Sequence, residues 1–166
     1  MQEEHNLLLH AVETAKHVND LKDNEYYYEL MHDLIIFFRN YTEIYHHPKE
    51  ENILYPVLRS RSENMSATFI HEICDNHEDF KALVAEIENH YVLRNYAFLR
   101  ITMKKYLDEL TEHIHTENQV ILSVAKQLLS KEESAMIYDE FMKVDEKFGE
   151  KQALRKGYFK LLNQLA

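Results

Sequence analysis

Two short stretches of the chain carry the same pair of metal-ligating side chains at the same spacing. His46 and Glu50 lie in His46-His47-Pro48-Lys49-Glu50-Glu51-Asn52-Ile53-Leu54, and His113 and Glu117 lie in His113-Ile114-His115-Thr116-Glu117-Asn118-Gln119-Val120-Ile121. On a helix, positions four apart stand about 40° apart around the axis and one turn apart along it, so both side chains of a pair can reach one ion. The same spacing also makes an ordinary exposed helix pair. The setting decides between the two readings. Each pair continues the apolar stripe of its own helix, where an unpaired carboxylate is costly to bury and a metal ion relieves that cost.

His77 and His5 fall on the apolar faces of two further helices, with His10 the alternative if the first helix is shifted in register. The set then comprises four imidazoles and two carboxylates, His5, His46, Glu50, His77, His113 and Glu117. Without cysteine, such donors suit iron or manganese better than a structural zinc site, and two carboxylates able to bridge suit a pair of ions. The chain holds 11 histidines, and the rest read as bland. His47, His71, His90 and His115 sit beside the stripes, and His10, His17 and His32 read as surface or supporting groups. Glu51 and Glu78 read as exposed acids. Tyr26, Tyr27, Tyr28, Tyr45, Tyr55, Tyr91 and Tyr106 could place a phenol near the metals as a redox relay or hydrogen-bond donor, but the preferred reading is bundle packing with polar tips at the rim. Cys74, a turn before His77, reads as a small core residue without an assigned role.

The elements that must position these groups are helices. With 166 residues but only 2 glycines and 2 prolines, the chain lacks the turn material of a sandwich or barrel. Periodicity predicts helices over about 3–20, 25–60, 66–90 and 93–129, each with one apolar stripe. Examples are Leu8, Val12, Ala15 and Val18 on the first, and Leu99, Met103, Tyr106 and Leu110 on the fourth. Pro48 and Pro56 are expected to kink or locally end the second. Shorter helices follow over about 132–147 and 151–165, broken near Gly149. The fold expected is all-α, an up-down four-helix bundle over about 3–129 with one or two C-terminal helices over about 132–165, in a single domain 1–166.

The formal net charge of −10 and the lack of a basic stripe argue against nucleic acid and anionic membrane as partners. No stretch nears the roughly 18 apolar residues of a membrane span, and the start Met-Gln-Glu-Glu-His lacks the features of a secretory signal. A single cysteine fits a reducing compartment, so a cytoplasmic protein is expected.

The run His46 through Pro56, with Lys49-Glu50-Glu51 and Ile53-Leu54-Tyr55-Pro56, resembles the second-helix motif of the hemerythrin-like HHE cation-binding family, and His113 to Asn118 resembles its fourth-helix motif. Asn76-His77-Glu78 and Glu4-His5 resemble the single-histidine motifs of helices three and one, so the resemblance covers about residues 4–125 in the family's order. It implies a non-haem centre of two iron ions, manganese or zinc being lesser fits. His5, His46, His77 and His113 would be terminal ligands and Glu50 and Glu117 bridging carboxylates. The chain departs from oxygen-carrying hemerythrin, whose third helix bears two histidines four apart, since His71 and His77 are six apart on different sides. Fewer ligands favour an open coordination position. The last carboxylate resembles that of the iron–sulfur cluster repair proteins, but their cysteine-bearing N-terminal domain has no counterpart here.

The expected function is a binding protein rather than an enzyme, one that binds or senses a small diatomic ligand, O2 or NO, or an oxidant. The alternatives are an iron donor for damaged iron–sulfur or di-iron centres and a plain iron-binding sensor. The outer helices from about 132 onward could serve a homodimer.

Overall fold

A computed structural model describes residues 1–61 and 69–148. The expected helix over 151–165 and the first three residues of the expected 66–90 helix lie outside the described residues. Five helices account for the rest. α1 is Gln2–Asn19. α2 runs over 25–61 as consecutive segments, an α-helix Glu25–Phe37, a π-helix Phe38–His46, one α turn His47–Lys49, a π-helix Glu50–Leu54 and an α-helix Tyr55–Arg61. α3 is Phe69–Val92. α4 runs over 96–128, with a π segment Glu117–Ile121 between the α segments Tyr96–Thr116 and Leu122–Leu128. α5 is Lys131–Lys147.

Local chemistry sets the boundaries. Asn24 caps α2 by accepting the Tyr27 amide at 2.8 Å, as a short polar side chain does at an N-cap. Ser130 and Glu133 form a reciprocal capping box at the start of α5, which satisfies two of its free amides. Between α3 and α4 the chain reverses through Arg94, at φ 49°. That left-handed conformation costs a non-glycine residue, and the Arg94 guanidinium is held over the Tyr28 ring at 4.1 Å and against Glu25.

Neither proline ends α2. Pro48 lies in the single α turn between two π segments, and the helix continues past Pro56 to Arg61. The expected local stop does not occur, and widened turns flank Pro48, whose ring removes a backbone donor.

α1 packs on α2 and α4, and α3 on α2 and α4, the square arrangement of an up-down bundle. Along its length, a large apolar cluster that includes Leu8, Ala15, Val18, Tyr27, Leu34, Phe80, Ile87, Leu99, Met103 and Leu110 is separated from a smaller one of Leu54, Tyr55, Leu58, Ile70, Ile73, Ile121 and Ile137. Each buried leucine or isoleucine contributes about 1.5–3 kcal/mol by leaving water. α5 spans both clusters, with Ile137 and Phe141 in the smaller and Val144 against the larger. No helix among the described residues is long and apolar enough to cross a membrane.

Candidate metal centre

Each of the four bundle helices crosses the layer between the two apolar clusters once, and each places polar side chains there. α1 supplies Glu4 and His5, α2 supplies His46, His47, Lys49 and Glu50, α3 supplies His77, and α4 supplies His113 and Glu117, all buried. The six residues singled out by stripe and spacing are therefore brought together. His10, the alternative on α1, is exposed, as are His17, His32, His71 and His115.

The distances have a pattern. Glu50 turns Oε1 toward His5 Nε2 (3.5 Å) and His46 Nε2 (3.6 Å), and Oε2 toward His77 Nε2 (3.8 Å). Glu117 turns Oε2 toward His5 Nε2 (3.4 Å), and Oε1 toward His77 Nε2 (4.0 Å) and His113 Nε2 (3.4 Å). Each carboxylate thus spans two histidine groups, His5 with His46 and His77 with His113. The Nε2 atoms of His77 and His113 stand 3.0 Å apart. Donors bound about 2.1 Å from one ion at right angles are about 3 Å apart, which is this spacing.

The far sides of three of the rings are held as metal-binding imidazoles usually are, by acceptors on the other nitrogen, whereas His113 Nδ1 is buried without a hydrogen-bond partner. His5 Nδ1 meets Asn118 Oδ1 at 2.7 Å, His46 Nδ1 meets Glu4 Oε2 at 2.9 Å, and His77 Nδ1 meets Glu51 Oε1 at 2.7 Å. These contacts leave the Nε2 atoms turned inward. Glu4 is held in turn by Lys49 Nζ at 2.6 Å and the Tyr45 hydroxyl at 3.0 Å, and Lys49 reaches Asp145 of α5 at 3.0 Å. The Tyr55 hydroxyl donates to Glu117 Oε1.

Electrostatics without an ion is unfavourable. Burial pushes both Glu50 and Glu117 well above the usual carboxylate range, and neighbouring carboxylates, Glu4 for the first and Glu50 for the second, add to it. Burial lowers His46 to about 4 against the opposing bond to Glu4, and holds His113 well below the imidazole range, with His77 and His46 adding repulsion. Burial alone would raise Glu4, but its bond from His46 and the charges of His46, the N-terminus and Lys49 outweigh it and hold it far below. His5 Nε2, His46 Nε2, Glu50 Oε2 and Glu117 Oε2 are buried without a hydrogen-bond partner. Such groups cost roughly 1–3 kcal/mol each if left so. A cation at their convergence removes that cost, so the donors fit a metal. Two sets of four, His5, His46, Glu50 and Glu117, and Glu50, His77, His113 and Glu117, can each hold an ion.

Several residues correct the expectations drawn from the sequence. His47 is not an exposed flanking group but lies 1% exposed beside His77 and His113. Glu51 is not a free acid but the acceptor that holds His77. Tyr45, Tyr55 and Tyr106 are buried, and the first two place their hydroxyls on the polar layer rather than at a rim. Lys49 is a buried cation whose role the stripe pattern concealed. Cys74 is half-buried, with Arg59 Nη2 at 3.4 Å from its sulfur.

A cleft of about 360 Å³ between α3 and α4 has Phe80 and His113 in its wall and Asp79, Glu109 and Glu112 around it. His113 is the one of the six singled-out residues that lines it.

A family model for the hemerythrin HHE cation-binding domain matches residues 1–125. The chain is also similar to an ATP-dependent helicase/nuclease protein of Staphylococcus haemolyticus (strain JCSC1435), at 24% identity over 143 residues, covering 82% of this chain and 11% of that protein. The chain thus spans about a tenth of that relative's length. No solved structure matches.

Proposed function

The chain belongs to the hemerythrin HHE cation-binding family, and from that premise we propose that its buried layer holds two iron ions bridged by Glu50 and Glu117. The pair binds a small diatomic ligand, O2 or NO, or meets a small oxidant. The observation that carries this reading is the double-facing geometry of the carboxylates, each with one oxygen toward His5 and the other toward His77. A single-ion site has no use for two groups of donors on opposite sides of the same carboxylates.

Iron, when bound, supplies reversible one-electron chemistry and exchangeable coordination positions. The chain's residues do the rest. His5 and His46 hold one ion, His77 and His113 hold the other, and Asn118, Glu4 and Glu51 fix the ring orientations of His5, His46 and His77. The apolar clusters above and below exclude water, which strengthens the electrostatic interactions inside and suits a small ligand over a bulky substrate. The chain acts as a binding protein, with no part for nucleic acid or membrane, which its charge of −10 disfavours.

A sensor role finds support in one further contact. His46 connects through Glu4 and Lys49 to Asp145 on α5, so a change at the centre has a hydrogen-bonded route to a helix outside the bundle.

The test is an optical titration of anaerobically iron-loaded protein with O2 and with NO. A reversible, saturable spectral change with either gas is expected. A spectrum indifferent to both gases, with iron bound, overturns the small-ligand reading.

A further inference from the structure

We infer that His47 is a fifth imidazole of the centre, a ligand on the His77–His113 side, so that the two ions are held unequally. The inference rests on the two-ion reading above and adds a residue to it.

His47, His77 and His113 each offer a ligand atom, and these atoms lie within 4.8 Å of one another. The His47 ring lies against that of His77, with centroids 3.8 Å apart and planes 4° from parallel, and meets His113 edge-on at 5.7 Å, so a rotation of the His47 ring about its Cβ–Cγ bond is what would bring its free nitrogen onto the same ion as His77 and His113. Both ring nitrogens of His47 are buried without a hydrogen-bond partner. An imidazole kept only for packing would leave both polar atoms unsatisfied in the core, where an apolar side chain of that size would serve better.

Its surroundings resemble those of His5, His46 and His77, each of which has an acceptor beside its outer nitrogen. Glu43 Oε2 stands 3.4 Å from His47 Nδ1, one turn earlier on α2, short of hydrogen-bond alignment. Glu4, Glu51 and Asn118 stand in the same relation to His46, His77 and His5. Glu43 is itself buried, and both its oxygens lack a partner. A ring turned toward an ion would give that carboxylate a donor.

The arrangement follows from the shape of α2. A π segment ends at His46 and another begins at Glu50. Widened turns alter the angular step, so that consecutive residues face the same layer. His46 then serves the His5 group and His47 the His77 group. On α3 the position one turn before His77 is Ile73, buried in the smaller apolar cluster and unable to donate.

The count of donors becomes unequal as a result. His47, His77, His113, Glu50 and Glu117 surround one ion, and His5, His46, Glu50 and Glu117 the other.

Proton NMR of the Co(II)-loaded chain tests this by counting far-shifted exchangeable ring N–H resonances, one per coordinated imidazole. Five are expected in the wild-type chain. In His47→Gln four should remain, with one of two Co(II) ions bound at least about tenfold more weakly in a chelator competition. Four resonances in the wild-type chain loaded with two Co(II) ions, or a His47→Gln chain that binds both ions as tightly, overturn the assignment of His47 alone. Fewer than two Co(II) ions per wild-type chain overturn the two-ion reading and His47's role with it. The wild-type count decides the matter even if His47→Gln does not fold.

Discussion

The larger apolar cluster and the polar layer are built by the same four helices but follow opposite rules. Around Val18, Tyr27, Leu34 and Met103 the backbone is regular α-helix, and the fully buried side chains meet one another. Around His46, Glu50 and Glu117 two helices pass through π segments, and many buried polar atoms face no partner. The first region is stable through apolar burial alone. The second is built at the expense of folding stability and recovers it only with a cation, as metal-coupled sites do. π turns at functional positions are a recurring way of re-aiming side chains, and among the described residues they occur here only in the two helices that carry His-x-x-x-Glu pairs.

Three substitutions break or sharpen that contrast. Leu34→Ala, in the apolar region, should cost about 2–5 kcal/mol. The loss should be the same with and without metal, as measured by denaturant unfolding of both forms. A loss confined to the loaded protein would mean that the two regions are not separate. Glu4→Gln should act the other way, since Glu4 orients His46 and is held by Lys49. Metal affinity should fall about 10–100-fold in a chelator competition, with the loaded form losing more stability than the metal-free form.

The third concerns pH. Burial raises Glu43 to about 8, against the pull of Lys81 and Arg39. Its folded value lies above its unfolded one, so its contribution is intact below the unfolded value of 4.5 and is lost as pH rises from 4.5 to 8. In metal-free protein Glu43→Gln should therefore match the wild type near pH 4.5 and exceed its Tm near pH 8 by on the order of 5 °C. Equal melting temperatures across that window would show that Glu43 is not strained by burial.

Much of this was legible beforehand for a physical reason. A regular helix maps sequence spacing directly onto faces, so α1, α3 and most of α4 could be placed from their stripes, and His5, His77 and the two His-x-x-x-Glu pairs followed. His47, Glu51 and Lys49 were not legible, because their facing depends on the π turns on either side of them. At 100° per residue His47 falls beside the stripe, whereas the widened turns bring it inward with His46. Pro48 was the visible sign that the regular step would fail there, although it widened the helix rather than ending it. Tyr55 was named but read as packing for another reason, since a tyrosine on an apolar face has the same pattern whether or not its hydroxyl meets a carboxylate on another helix.

The claim that the polar layer is a two-ion centre is tested most directly by iron content. Anaerobically loaded wild-type protein should bind about two iron ions per chain, and Glu50→Ala and Glu117→Ala should each bind one or none, because each removes a group shared by both ions. An iron content clearly below two per wild-type chain, or an unchanged content in both variants, would contradict the account.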